Sequence, residues 1–166
     1  LRAKALRLTT GAQLVALYDI DANRSKELAQ LVSAEVMPTW ADLVMSGDID
    51  AVVVSTPPDS HAELTIAALQ AGKHVLCEKP LARTTEQARQ MVVACRQAGV
   101  RLLVAHVVRF FPEYALAQQA IAAGQIGKLG VVRLHRGSYR PKKPSGNWFL
   151  DETRSGGILM DLMIHD

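Results

Sequence analysis

Residues 51–82 read AVVVSTPPDSHAELTIAALQAGKHVLCEKPLA, and they give the clearest indication of the fold. Two short apolar runs, at 51–55 and 74–77, are too brief for helices, and the first is rich in β-branched residues. The segment between them, 60–69, has a helical pattern and is followed by Ala71-Gly72. A strand, a helix and a second strand in this order predict a parallel βαβ unit.

The same alternation extends along the chain in both directions. Further strands are predicted at 13–18, 101–105 and 130–136, and further helices at 2–8, 23–31, 41–45, 85–97 and 113–122. The pairs at 71–72, 98–99 and 123–124 are all Ala-Gly, where glycine can adopt the left-handed conformation that ends a helix. Short, wholly apolar strands belong in a parallel sheet covered on both faces by helices, so we expect a doubly wound α/β fold of the Rossmann type.

The regular pattern weakens after Arg109, and we place a domain boundary near residue 107. Residues 1–107 are expected to form the Rossmann-type domain. Residues 108–166 are too few for a domain of their own and are expected to begin a second, α+β domain. We expect the chain to be truncated at both ends.

Composition excludes several classes of partner. Nineteen Lys and Arg against 16 Asp and Glu give a formal charge of +3, too small to indicate nucleic acid or an anionic membrane. No apolar run is long enough to span a membrane. Cys77 and Cys95 form neither a metal-binding pattern nor a disulfide framework, which favours a reducing, cytoplasmic compartment and no metal.

Asp19 indicates a dinucleotide site because it follows the predicted strand 13–18, where an acid can accept hydrogen bonds from the adenosine ribose. That role would place the glycine-rich phosphate turn about 20 residues upstream, before residue 1. An acid with no arginine directly after it favours NAD over NADP, although NADP remains open. The alternative is that Asp19 or Asp21 simply caps the following helix.

Lys79 directly follows the strand 74–77 and Glu78, and Pro80 restricts the chain behind it. Asp161 and His165 are four residues apart, so in a helix they would share one face as an orienting carboxylate and a proton carrier. Together these residues suggest redox chemistry. The alternatives are a solvated lysine and a surface histidine favoured by a helix dipole.

Four motifs in order resemble the glucose-fructose oxidoreductase and inositol dehydrogenase family (Gfo/Idh/MocA). They are Thr56-Pro57-Pro58-Asp59-Ser60-His61, Cys77-Glu78-Lys79-Pro80-Leu81-Ala82, Ala105-His106 with Arg109-Phe110, and Ser155-Gly156-Gly157 leading to Asp161 and His165. The resemblance implies a Rossmann domain that binds NAD(P), with its first strand and glycine loop expected before residue 1. It also implies a C-terminal α+β domain with an open sheet, often used to form homo-oligomers.

The resemblance also implies roles for individual residues. Lys79 corresponds to the lysine that hydrogen-bonds the reacting hydroxyl, His165 to the general acid/base, and Asp161 to the carboxylate beside them. The cofactor-binding positions correspond to Asp19, Thr56, Pro57, His61, Glu78 and Lys79. For His61, a place on the first turn of a helix is an equal alternative.

His106, Arg109 and Trp148 are predicted to bind substrate. A buried histidine and a structural ion pair are equal alternatives for the first two, and Val107 departs from the asparagine common in the family. Trp148 is grouped with four residues of a basic loop, for which a solvated surface is the favoured alternative: Tyr139, Arg140, Lys142 and Lys143.

Three functions are compatible with these residues. The leading one is an NAD(P)-dependent dehydrogenase acting on a polyol, a sugar or a cyclic alcohol. The second is a noncatalytic module that senses dinucleotide. The third is an NAD-dependent glycosidase that acts through transient oxidation.

Overall fold

The computed structural model describes residues 2–135 and 148–165, and every strand pair in these ranges is parallel. The strands are β1 Ala16–Leu17, β2 Glu35–Val36, β3 Ala51–Val54, β4 His74–Glu78 and β5 Leu102–Ala105. β1 and β2 form a two-stranded sheet, and β3, β4 and β5 form a three-stranded sheet in that order. Parallel strands joined by helices confirm the predicted α/β fold class.

Helices connect the strands and continue beyond them. They are α1 Arg2–Arg7, α2 Ala22–Val32, α3 Trp40–Met45, α4 His61–Gln70, α5 Thr85–Ala98, α6 Pro112–Ala122, α7 Glu152–Ser155 and α8 Gly157–Asp161. The predicted glycine stops are confirmed, because Gly72, Gly99 and Gly124 have φ angles of 77°, 66° and 70°. Side chains with a Cβ rarely adopt this left-handed conformation.

The strands differ from prediction at three places. β1 covers only Ala16–Leu17 of the predicted 13–18, and β2 has no counterpart in the prediction. The strand predicted at 130–136 is not formed over 130–135, and residue 136 lies outside the described ranges. An apolar, β-branched run becomes a strand only where a neighbouring strand takes up its backbone hydrogen bonds, and the structure as described offers 130–135 no such neighbour.

The hydrophobic core lies on one face of the three-stranded sheet. Val52 and Val54 are buried while Ala51 and Val53 are exposed, because successive side chains in a strand point to opposite faces. α4 and α5 pack together over the buried face, where Leu69 and Met91 are both fully buried. Helices were expected on both faces, but within the described residues Val53 and Leu103 on the other face remain exposed.

The part of the second segment that the structure describes is helical. After α6 the chain resumes at residue 148 with the 3-10 helix Trp148–Leu150, followed by α7, α8 and a 3-10 helix over Met163–His165. α7 packs against the 3-10 helix Pro58–Ser60, so this segment meets the first domain beside β3. The predicted basic loop, with Tyr139, Arg140, Lys142 and Lys143, falls outside the described residues.

Candidate active site

The carboxyl ends of β3, β4 and β5 meet at one edge of the sheet, and the predicted site residues follow them. Val54 pairs with Cys77, and Glu78 pairs with Ala105. Thr56, Lys79 and His106 therefore leave the sheet at neighbouring points of the same edge. In parallel α/β sheets this edge is where ligands bind.

The Lys79 side chain joins this edge to the far end of the sequence. Its Nζ donates to Asp161 Oδ1 at 2.8 Å and to the Asp161 carbonyl oxygen at 2.5 Å. The two side chains are only 18% and 11% exposed, so little water competes for the pair. The ammonium is thereby held in one place by two oxygens of the same residue.

Asp161 and His165 do not lie on one continuous helix. α8 ends at Asp161, and His165 closes the following 3-10 helix Met163–His165. The two residues therefore sit on consecutive turns of different helix type, and His165 is half-buried. Its amide donates to the Leu162 carbonyl at 3.3 Å, as expected for a 3-10 turn.

The predicted substrate residues on the β5 side lie next to this turn. The 3-10 helix Val107–Phe110, which follows His106, packs against Met163–His165. His106 is half-buried and Arg109 is exposed. The fold thus places the segment that begins at His106 next to the element that carries His165.

Trp148 has different neighbours. Its ring meets Phe149 edge to face, with centroids 5.8 Å apart and an interplanar angle of 71°. The 3-10 helix Trp148–Leu150 packs against α7, and α7 in turn packs against Pro58–Ser60. Trp148 is therefore connected through α7 to the loop after β3.

Glu78 is held from two sides. Oε1 accepts a hydrogen bond from the guanidinium of Arg2 in α1, and Oε2 accepts from the Lys79 amide at 3.3 Å. The carboxylate therefore ties α1 to the turn that carries Lys79.

Cys77, which precedes Glu78, is fully buried, and burial raises the pKa of its thiol from 9.0 to about 11. The thiol stays protonated at neutral pH and is unsuited to nucleophilic chemistry.

The loop after β3 is closed by its own hydrogen bonds. Ser60 Oγ donates to Thr56 Oγ1 at 2.8 Å. The His61 ring lies beneath the loop, 1% exposed, with Nδ1 2.8 Å from the Pro80 carbonyl oxygen and Nε2 2.9 Å from the Thr56 carbonyl oxygen.

Two ion-pair partners, Arg2 and Arg154, were not predicted from the sequence. Arg154 Nε donates to Asp59 Oδ2 at 2.7 Å and links α7 to Pro58–Ser60, and Arg2 contacts Glu78 as described above. The first pair spans 95 residues, so no local pattern in the sequence indicates it. Nearby, hydrogen bonds from the Thr153 side chain and amide lower the pKa of Asp151, the residue that caps α7.

Asp19 follows β1 and lines an open cleft of about 390 Å³ together with Leu17, Tyr18, Arg24, Ser25, Glu27, Leu28 and Leu31. Its Oδ1 accepts the Asp21 amide at 2.9 Å, whereas the cap of α2 is Asp21, which accepts from the Asn23 and Arg24 amides. The two acids thus have separate tasks, and Asp19 is not the capping residue. An exposed carboxylate beside a cleft at the end of a parallel strand suits the hydroxyls of an adenosine ribose.

The described residues thus form a parallel α/β domain with an open cleft beyond β1, and with a lysine and a carboxylate paired at the carboxyl edge of its sheet. The family model described as "Oxidoreductase family, NAD-binding Rossmann fold" matches residues 2–106, and the one described as "GFO/IDH/MocA C-terminal domain" matches 114–166. The chain belongs to the Gfo/Idh/MocA family of oxidoreductases. An NAD(P) cofactor is confirmed at the level of this family.

Relatives and solved structures agree with this assignment. The chain is 40% identical over 159 residues to 1,5-anhydro-D-fructose reductase of Ensifer adhaerens, covering 95% of the chain and 47% of that protein. It is 43% identical over 122 residues to inositol 2-dehydrogenase 3 of Saccharopolyspora erythraea, covering 73% and 36%. Its structure resembles levoglucosan dehydrogenase in complex with NADH and levoglucosan, with a TM-score of 0.82, 29% identity, and coverage of 98% and 46%. The chain therefore spans less than half the length of these proteins.

None of the helices in 2–135 and 148–165 is both long enough and apolar enough to cross a membrane.

Proposed function

We propose that the protein, at its natural length, is an NAD(P)-dependent oxidoreductase that transfers hydride between nicotinamide and a secondary alcohol. The observation that carries the proposal is the contact between Lys79 and Asp161, which are 82 residues apart in sequence. It joins the carboxyl edge of a dinucleotide-binding sheet to the segment that carries His165. A polyol, sugar or cyclic alcohol is the proposed substrate class, and relatives named for 1,5-anhydro-D-fructose, inositol and levoglucosan support it.

The chain's own residues manage charge and protons in this reaction. When bound, the nicotinamide supplies the hydride acceptor or donor. The Lys79 ammonium stabilises negative charge that develops on the substrate oxygen, and Asp161 keeps the ammonium in place. His165 removes the hydroxyl proton during oxidation and returns it during reduction, a task that suits an imidazole near neutral pH.

Cofactor binding is assigned to residues that follow the strands. Asp19 receives the ribose hydroxyls, which favours NAD over NADP because a carboxylate repels a 2′-phosphate. Thr56 and Pro57 border the phosphates and the second ribose, and Glu78 and Lys79 lie beside the nicotinamide. Since both His61 ring nitrogens lie against backbone carbonyls, we assign its contribution to the loop that it supports.

Substrate contacts are assigned to His106 and Arg109, which lie next to the turn that carries His165, and to Trp148. We propose that the full protein forms a homo-oligomer through its second domain. Both assignments rest on the family resemblance together with the placement of these elements.

The test replaces Lys79 or His165 by alanine in the protein at its natural length. We expect kcat to fall by about 10²- to 10⁴-fold in each variant, because each group acts on the reacting oxygen. NADH binding, measured by fluorescence titration, should be nearly unchanged. Lys128→Ala, which removes an exposed lysine, is the matched control and should retain parental turnover. Parental turnover in both test variants would remove the proposed roles.

Two alternatives make different predictions in the same assay. A noncatalytic sensor would bind NADH without turning over inositol, levoglucosan or 1,5-anhydro-D-fructose. The pairing of Lys79 with Asp161 favours catalysis over this alternative. A glycosidase acting through transient oxidation would cleave its substrate without releasing reduced cofactor. Appearance of free NADH during oxidation of inositol or levoglucosan therefore supports the dehydrogenase and excludes both alternatives.

A further inference from the structure

His61 is buried directly beneath the carboxyl edge of the sheet. It opens α4, and its side chain is in the interior with only 1% of the residue exposed. Nδ1 lies 2.8 Å from the Pro80 carbonyl oxygen, and Nε2 lies 2.9 Å from the Thr56 carbonyl oxygen. One ring thus connects the loop after β3 to the turn after β4.

Both partners of the ring are acceptors. A carbonyl oxygen offers only lone pairs, so each ring nitrogen forms a bond only if it carries a hydrogen. Neutral imidazole has one N–H and can donate to one of the two carbonyls, whereas imidazolium can donate to both. Hydrogen bonds to both carbonyls, at 2.8 and 2.9 Å, therefore require a hydrogen on each ring nitrogen, and in either state neither nitrogen is directed at a ligand.

The His61 ring joins the loop after β3 to the turn after β4 beyond the point where backbone pairing between the two strands ends. Pairing of β3 with β4 ends at Val54 opposite Cys77, before Thr56 and Lys79 are reached. Pro80 has no amide hydrogen, so its carbonyl is the only backbone polar group it can offer. The Asp59–Arg154 pair also restrains the loop after β3, but at 26% and 46% exposure it is a surface contact of small energetic value.

We propose that His61 is a positioning residue, which fixes the Thr56 loop and the Lys79-Pro80 turn relative to each other without touching cofactor or substrate. Through Pro80 it sets the position of the Lys79 ammonium, and through Thr56 it sets the loop that borders the cofactor. This inference rests on the proposed function, in which Lys79 polarises the hydroxyl and Thr56 lies beside the cofactor.

Two conservative substitutions separate the two contacts of the ring, which are called here the Pro80 arm (from Nδ1) and the Thr56 arm (from Nε2). The amide nitrogen of asparagine takes roughly the place of Nδ1, so His61→Asn keeps a donor toward Pro80 and loses the one toward Thr56. The amide nitrogen of glutamine takes roughly the place of Nε2, so His61→Gln keeps the Thr56 arm and loses the Pro80 arm. The control is His74→Asn, at the opposite end of β4, where the amide oxygen can replace exposed His74 Nδ1 as acceptor for the Arg101 amide.

In the protein at its natural length we expect one variant to change mainly kcat and the other to change mainly KM for NAD. His61→Gln should lower kcat by about 10- to 100-fold with KM for NAD within about threefold of the parent, because Lys79 is displaced. His61→Asn should raise KM for NAD about tenfold, the equivalent of one lost hydrogen bond, with a smaller effect on kcat. His74→Asn should match the parent. The same loss of kcat in both His61 variants at unchanged KM would show a merely structural role and overturn the proposal.

Two measurements without turnover keep this inference separate from the proposed function. NADH binding, followed by fluorescence, should weaken about tenfold in His61→Asn and stay unchanged in His61→Gln. The rate at which an amine reagent labels Lys79, followed by mass spectrometry, should rise several-fold in His61→Gln only, because the ammonium leaves its shielded pair. If the parent turns over no substrate, the proposed function fails while these two patterns still decide the role of His61. Identical patterns in the two variants would overturn that role.

Discussion

Lys79 is the residue that connects the two ends of the candidate site. Its ammonium contacts the side chain and the backbone carbonyl of the same aspartate, so moving Asp161 moves both oxygens together. The pair is largely shielded from water, where charge–charge interactions are stronger than on the surface. In the proposed reaction, the position of the ammonium relative to the substrate oxygen therefore depends on how α8 docks as well as on the turn that carries Lys79.

Burial of Cys77 makes the reactivity of its thiol depend on pH. Burial raises the pKa of its thiol to about 11, so in the folded protein the reactive thiolate is scarce below that pH. Iodoacetamide at pH 8 should label the half-buried Cys95 of the folded protein at least tenfold faster than Cys77, as measured by peptide mass spectrometry. In urea the two rates should become similar.

The sign of the accompanying stability change follows from the same shift. Between pH 9 and 11 the unfolded chain releases the Cys77 proton while the folded chain retains it, so the free energy of unfolding should fall as pH rises through this window. Equal labelling of the two cysteines at pH 8 in the folded state would contradict the burial of Cys77.

Among the elements, the helix ends show how local sequence sets the path of the chain. α5 begins after Thr84, whose side chain accepts a hydrogen bond from the Gln87 amide, and ends before Gly99, which is in the left-handed conformation. The chain then turns back into β5 within three residues. The position of His106 beyond β5 depends on this stop, because a longer α5 would shift the register of the strand.

Gly99→Ala tests this stop. The left-handed φ of 66° disfavours a Cβ although no atom lies within 4 Å of it, so we expect a loss of about 1 kcal/mol in the free energy of unfolding. Gly47→Ala is the matched control, because Gly47 also has open space around it but lacks a left-handed φ. It should change stability by less than about 0.5 kcal/mol or increase it slightly. Urea titration of both variants checks the comparison, and equal losses would show that conformation is not the cause.

For the molecule as a whole, the two family-model matches and the helical segment at 148–165 support a chain of two parts. We propose that the second domain begins near residue 107, after β5 has ended at Ala105 and before α6 begins at Pro112. Many large apolar side chains of α6 and the following segment are exposed, among them Leu116, Ile121 and Val131. Surfaces of this kind favour association, in line with the proposed homo-oligomer.

The exposure of one face of the three-stranded sheet can be tested in the chain of 166 residues. Val52 is 8% exposed and Val53 is 36% exposed, although they are neighbours in β3. Val52→Thr buries a hydroxyl and should cost about 1–3 kcal/mol of unfolding free energy, whereas Val53→Thr should cost less than about 0.5 kcal/mol. Urea titrations at two protein concentrations measure both values. If Val53→Thr costs as much as Val52→Thr, that face is covered in solution.

The path of the chain was predictable where local patterns are strong. β3, β4 and β5 were expected from short apolar runs, and the stops at Gly72, Gly99 and Gly124 from Ala-Gly pairs. β2 was not predicted, because Glu35 and Val36 are too few residues to show the alternation of a strand. The run at 130–136 has the composition of a strand, but composition cannot supply the neighbour that a strand needs.

At the site, local sequence patterns are enough to predict which side chains leave the ends of the strands, and hence that Thr56, Lys79 and His106 gather at one edge. This follows because parallel strands all end on the same side of a sheet. The three-dimensional structure was needed to show that Lys79 pairs with Asp161, that Asp59 pairs with Arg154, and that His61 contacts the Pro80 carbonyl. Such contacts depend on how separate elements dock in space, and residues 19 to 95 positions apart leave no periodic trace of that docking in the chain.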